Sequence, residues 1–220
     1  VAVEKGASDI AVKSTGVGCR GYRVRMDESS GIRIVAATDA PWDDVRAVFG
    51  TRGDPAGCWC QFFKIGNAEW KTGDASVRAR SLCDQIERGG AGPGLIAYLA
   101  DEPVGWCAVE PRGEYPRLVE SRLFNALIDE DEPDVWAITC FVVRVGFRKR
   151  GVSGALLTAA VAHARRHGAA VIEGYPVDVG VKKTSAAELY HGPLSAFEAA
   201  GFEVVARPKD ERALVRLIVR

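Results

Sequence analysis

The sequence predicts an α/β fold, a single-layered mixed sheet flanked by helices. Three observations carry this. Short runs rich in β-branched and aromatic residues, such as Leu95–Leu99 and Val135–Val143, alternate with apolar patterns at helical spacing. Glycine and proline clusters separate them. The 220 residues, 47% hydrophobic and 26% charged, suffice for one core without a metal or disulfide staple.

In chain order, Val1–Gly31 is glycine-rich and mixed in charge, and reads as an amino-terminal arm in which Gly21–Met26 is a candidate edge strand. Residues 32–220 form the domain. Ile32–Ala36 is its first strand. Thr38 or Asp39 is placed to cap a helix, with Pro41 early in it and Trp42, Val45, Val48 and Phe49 on its apolar face. Gly50–Gly73 reads as irregular and carries the apolar segment from Cys58 to Phe63. Ala75–Arg88 is a second helix, stopped by the glycines that precede Leu95. Leu95–Leu99 and Val104–Glu110 form a hairpin across the turn Asp101-Glu102-Pro103. A polar connection with a short helix near Leu118–Leu127 leads to the strand Val135–Val143. The helix Gly151–His167, the strand Ala169–Glu173, a helix at Leu194–Ala200 and the strands Phe202–Ala206 and Leu214–Val219 complete the order.

Lysine plus arginine total 29, as do aspartate plus glutamate. This balance offers no global field for a nucleic acid, and near-neutrality makes a homodimer plausible. No apolar run approaches the roughly 20 residues of a membrane span, and no secretion signal is apparent. Six cysteines in such a length are not a disulfide scaffold, so reduced thiols in the cytoplasm are expected. Cys58-Trp59-Cys60 lacks the spacing of a zinc knuckle, and no metal is expected.

The most informative segment runs from Phe141 to Gly154. It leaves an apolar strand, passes Arg148, Lys149 and Arg150, and enters a helix at Gly151-Val152-Ser153-Gly154. Free amides and the dipole at a helix start favour an anion, the glycines leave room for it, and the cations add attraction. It is neither a Walker loop nor the dinucleotide fingerprint.

This segment resembles motif A of the GCN5-related N-acetyltransferases (GNAT), whose pattern is arginine or glutamine, two residues, glycine, one residue, then glycine or alanine. Arg148, Gly151 and Ser153 hold those places, serine being a small departure. The element order from Ile32 to Val219 and the pair Gly201-Phe202 extend the resemblance. It implies a sheet of the GNAT acyl-CoA N-acyltransferase type. It also implies that amides of Lys149, Arg150, Gly151, Val152, Ser153 and Gly154, beside Arg148, bind the pyrophosphate of acetyl-CoA. The bulged strand that pairs with the pantetheine arm would be Phe141, Val142 and Val143, with an amide near Val143 holding the thioester carbonyl.

Acyl transfer to an amine also needs a proton acceptor and, for the leaving thiolate, a donor. Glu110 and Glu173, each at a strand end, are the leading candidate bases. The family's usual acid is a tyrosine four residues before the final glycine-phenylalanine pair, and here that place holds Phe197. Tyr190 is the candidate substitute, with His191 beside it a candidate acid or base. Trp70, Trp106 and Trp136 with Tyr175-Pro176 are candidates for an aromatic wall. The expected function is direct transfer of an acetyl group from acetyl-CoA to an amine, on a small molecule or a protein. The alternative is a non-catalytic acyl-CoA-binding regulatory domain.

Overall fold

The computed structural model describes residues 31–129, 131–181, 184–185 and 187–219. The expected arm and its Gly21–Met26 strand therefore lie outside the described residues. Seven strands, β1 (Ile32–Ala36), β2 (Leu95–Leu99), β3 (Glu102–Pro111), β4 (Val135–Val143), β5 (Val171–Gly174), β6 (Glu203–Lys209) and β7 (Arg212–Ile218), form one sheet in the order β1-β2-β3-β4-β5-β7-β6. The helices are α1 (Trp42–Phe49), α2 (Gly53–Cys58), α3 (Asn67–Thr72), α4 (Ala75–Glu87), α5 (Pro116–Val119), α6 (Val152–Arg166) and α7 (Leu194–Ala199).

Every strand pair is antiparallel except β4 with β5. A parallel pair needs a crossover, and α6 provides it. One face of α6 buries Val152, Leu156, Leu157, Ala160 and Ala164 against Val104, Ile138 and Phe141. The approach is close enough that a Cβ on Gly105 would stand 2.7 Å from Val152 Cγ1. On the opposite face, Val45, Val48 and Phe49 of α1 and Leu82 of α4 cover Ile96, Trp106 and Val142.

The helix around Trp42 starts differently from expectation. Ala37–Asp39 closes a 3-10 turn, and α1 follows Pro41 without a side-chain cap. Pro41 lacks an N–H and has φ −58°, which suits a helix entry. Gly50–Gly73 is not irregular throughout but carries α2 and α3. The short helix expected near Leu118–Leu127 resolves into α5 and a 3-10 turn at Asn125–Leu127. The hairpin turn places Ala100 and Asp101 at φ 49° and 63°, the left-handed pair that suits the twist of tight hairpins.

Two irregularities shape the sheet's centre. β3 and β4 slip register between Ala108 and Val109, so Thr139 is the extra residue of a bulge. β4 and β5 pair only from Val135↔Val171 to Ile138↔Gly174, and beyond that they part. Phe197 of α7 is fully buried beside this opening, 6.1 Å from the Phe141 ring. Gly174 admits it, since a Cβ there would lie 2.3 Å from Phe197 Cε1.

Candidate active site

β4 offers different things on its two sides beyond the bulge. Arg144 N–H donates to Val104 C=O at 3.0 Å, which fixes the hydrogen-bonded pairs as Val104–Arg144, Trp106–Val142 and Ala108–Cys140. The intervening residues, Phe141 and Val143, therefore turn their backbone groups toward the opening between β4 and β5. Thr139 C=O accepts from His191 Nδ1 at 3.0 Å, and Val143 C=O accepts from Arg148 Nε at 3.3 Å. Phe141 N–H, Phe141 C=O and Val143 N–H remain as a backbone edge with no strand partner among the described residues. Of the three strand residues expected to face a ligand, Val142 differs. Its backbone pairs with β3 and its side chain lies on the other face.

The loop after β4 places its glycines and cations at the start of α6. Gly151 caps the helix at φ 79°, a conformation that costs a side-chain-bearing residue more. No side chain caps the helix, so the first amides of α6 face outward without a protein partner at the cap. A Cβ on Gly151 or Gly154 would meet nothing within 4 Å. Arg148, Lys149, Arg150 and Ser153 are all exposed around this space. Open volume, outward amides and three cations fit a pyrophosphate.

On the face opposite α6 lies a cleft of about 540 Å³. Thr139, Cys140 and Val142 of β4 form its floor. Phe49, Phe62, Phe63 and Trp70 supply aromatic walls, and Asp54, Arg78, Glu188, Tyr190 and His191 supply polar groups. The bulge at Thr139 is what lets two successive residues, Thr139 and Cys140, reach the same cleft.

Tyr190 lines this cleft, beside Cys140, Asp54 and Arg148. Burial raises its phenol above the usual value, so it keeps its proton at neutral pH. His191 is held by its bond to Thr139 C=O. A carbonyl only accepts, so Nδ1 carries the hydrogen and, in the neutral ring, Nε2 carries the lone pair. Burial, followed by the charge of Arg212, lowers the imidazole to about 4. Phe197 is fully buried and packs as core against Phe141 and Phe202.

The two candidate glutamates are placed differently. Glu110 is 7% exposed and forms an ion pair with Lys64, whose Nζ also donates to Gln85 Oε1 at 2.7 Å. Burial raises its pKa against the opposing pull of Lys64. Tyr115 lies beside it and beside Thr139, so Glu110 sits behind the cleft floor and does not line it. Glu173 is wholly buried. Its Oε1 accepts from Arg112 Nη1 at 3.1 Å and from Arg216 Nε and Nη2 at 3.0 and 2.6 Å. Its Oε2 accepts from Tyr175 at 2.6 Å. This closed network lies outside the cleft.

The expected aromatic wall disperses. Trp106 is buried under the sheet, Trp136 stacks on His167, and Tyr175 is buried against Glu173. Only Trp70 faces the cleft. Phe62 and Phe63, which share the segment with Cys60, join it there. Cys60 packs against Cys140, and that contact, with burial, raises its thiol well above the usual value. Burial carries Cys58 to about 11. These thiols stay protonated. Among the described residues, no three His, Cys, Asp or Glu side chains are placed to hold a metal ion, and no helix is long and apolar enough to cross a membrane.

A parted strand pair with a free backbone edge, followed by a basic glycine loop at a helix start, offers hydrogen-bond groups to an extended ligand and a seat for an anion. Residues 59–192, more than half of the chain, match the family model for the acetyltransferase (GNAT) family. The chain belongs to that family, whose cosubstrate is acetyl-CoA. No curated protein matches the sequence. Among solved structures, the PaiA N-acetyltransferase of Thermoplasma acidophilum, in complex with coenzyme A, is similar at 11% identity and a TM-score of 0.50, covering 86% of this chain and 99% of its own. A GNAT-family putative acetyltransferase from Desulfovibrio desulfuricans gives 21%, 0.48, 86% and 98% for the same quantities. YncA, a putative acetyltransferase of Salmonella typhimurium solved with acetyl-CoA, gives 15%, 0.49, 86% and 95%.

Proposed function

We propose that this protein transfers an acetyl group from acetyl-CoA directly to an amine seated in the cleft. One observation carries the reading. β4 turns the backbone edge of Phe141 and Val143 toward the strand opening, while its neighbours Cys140 and Val142 floor the cleft. Donor edge and acceptor floor are thus adjacent residues of one strand.

Acetyl-CoA supplies an activated thioester carbonyl. Amides from Lys149 to Gly154, with Arg148 and Arg150, would hold its pyrophosphate, and the Phe141–Val143 edge would align its arm. Val143 N–H is the donor for the carbonyl oxygen, where negative charge develops. His191 is uncharged at neutral pH, so it does not repel an approaching ammonium. The ammonium gives one proton to solvent water before its lone pair attacks, and the second, acidic once nitrogen bonds to carbon, passes to His191 Nε2 as the C–S bond breaks. Tyr190 O–H donates toward the departing sulfur. Glu110 lies behind the cleft floor, paired with Lys64, and is not placed to take the amine proton directly. Glu173 takes no part in proton transfer, because its carboxylate is enclosed by two arginines and a tyrosine.

The test is acetyl-CoA-dependent thiol release across primary amines. Turnover that depends on the amine supports the reading. Tight acetyl-CoA binding with no turnover on any amine would instead favour a regulatory domain, for which Phe197 in the usual tyrosine place is the supporting observation.

A further inference from the structure

The charges around the cleft discriminate among amines. Its carboxylates, Asp54 and Glu188, both sit on the side formed by α2 and the turn at Glu188–His191. Asp54 is exposed, and Glu188 is half-buried while accepting from Ser185 N and Oγ at 2.9 and 2.8 Å. Arg212 stands beside Glu188, and Arg148 beside Tyr190, so this side is already partly charge-balanced. The aromatic side carries cations alone. Arg117 lies 3.9 Å above the Phe62 ring and 5.8 Å from that of Trp70. Arg78 lies 4.7 Å from the Trp70 ring and is anchored by Gly57 C=O at 2.6 Å and Gly73 C=O at 2.8 Å.

A positive charge is attracted by an aromatic face only when that face is available. Here two guanidiniums already occupy faces of Phe62 and Trp70, and both would repel a further cation. The remaining edges of these rings, with Phe63 and Phe49, offer apolar surface. With four guanidiniums against two carboxylates, at most one ammonium is accommodated, near Asp54 and Glu188, and the rest of the molecule must be apolar.

We infer that the acceptor is a monocationic amine on an aromatic or branched apolar body, and that polycationic amines are excluded by Arg78 and Arg117. This rests on the proposal that the cleft is the amine site. It adds a discrimination that acetyl transfer alone does not require.

Calorimetric titration of the coenzyme A-saturated protein with tryptamine and with spermidine tests it. Tryptamine should bind about tenfold more tightly than spermidine. Trp70→Ala and Phe62→Ala, both at partly exposed positions, should each weaken tryptamine about fivefold or more. Arg117→Gln should strengthen spermidine several-fold and leave tryptamine within about twofold. Equal or tighter spermidine binding, or no tryptamine binding, overturns the inference. A separate titration with acetyl-CoA reports on the acetyltransferase reading. Absence of acetyl-CoA binding would sink the proposed activity, while the same amine titrations repeated without coenzyme A would still decide the amine preference.

Discussion

Replacing Glu173 with glutamine removes one charge and almost no volume. The native carboxylate receives three N–H bonds from Arg112 and Arg216 and one O–H bond from Tyr175. Arg112 is 4% exposed, so water cannot take over its solvation. The amide oxygen would still accept from the arginines, and the amide nitrogen would donate to Tyr175. Geometry is thus kept, and what is lost is the charge that balances a buried guanidinium. Breaking a buried pair in this way costs about 3–5 kcal/mol. Against a total stability of about 5–15 kcal/mol that is a large fraction. At about 2–4 °C per kcal/mol for a chain of this size, the melting temperature should fall by roughly 6–20 °C. Urea unfolding followed by tryptophan fluorescence gives the free energy, and acetyl transfer well below the melting temperature gives kcat. Stability should drop by this amount with kcat within about twofold. A variant as stable as wild type that has lost about a hundredfold or more in kcat would refute the reasoning and return Glu173 to the role of base.

Tyr190→Phe should lower kcat by about a hundredfold with acetyl-CoA affinity unchanged, read by thiol release and calorimetry together. The second expectation concerns pH. His163 and His191 are both depressed to about 4 from 6.5, first by burial. The fold therefore favours their neutral forms. Their stabilisation is fully present above pH 6.5 and is lost as pH falls toward 4, by at most about 3 kcal/mol each. Urea midpoints between pH 7.5 and 4.5 should show this decline, and His163→Gln should flatten it. Gly105→Ala places a Cβ 2.7 Å from Val152 Cγ1 and 3.1 Å from Leu156 Cδ1. It should cost about 1–3 kcal/mol and weaken acetyl-CoA binding, because the start of α6 must move. Wild-type affinity in that variant would show that the helix start tolerates displacement.

The strand, loop and helix start proposed to take acetyl-CoA are legible from sequence as local structure, because they are contiguous. β4, the loop and the start of α6 form one run from Val135 to Gly154, and the glycines and arginines in it have local physical meanings. The cleft was not legible. α2 and α3 span six residues each, begin without side-chain caps, and α2 contains Gly53, Pro55 and Gly57. Nothing in their local propensity announces a helix, and tertiary packing decides them. Glu173 looked like a strand-end acid because its partners lie 61 and 43 residues away. The bulge at Thr139 is likewise a product of pairing with β3. It shifts which side chains face the cleft, and a single strand's alternation does not reveal it. His191 gained its place only when the turn at Glu188–His191 docked on β4. The one local hint was its place beside Tyr190, the candidate for the phenol missing at Phe197.

Gly154→Glu is the sharpest probe of the assignment. The position is in the first turn of α6, and a Cβ there would meet no atom within 4 Å. Glutamate is a better helix former than glycine by roughly 0.5–1 kcal/mol and suits a helix amino terminus, so the fold should be slightly stabilised. It also puts a carboxylate where the pyrophosphate would rest. Calorimetric titration with acetyl-CoA should give micromolar binding to the wild-type protein and none to this variant. Undiminished binding by the variant, or no binding by well-folded wild-type protein, would contradict the account.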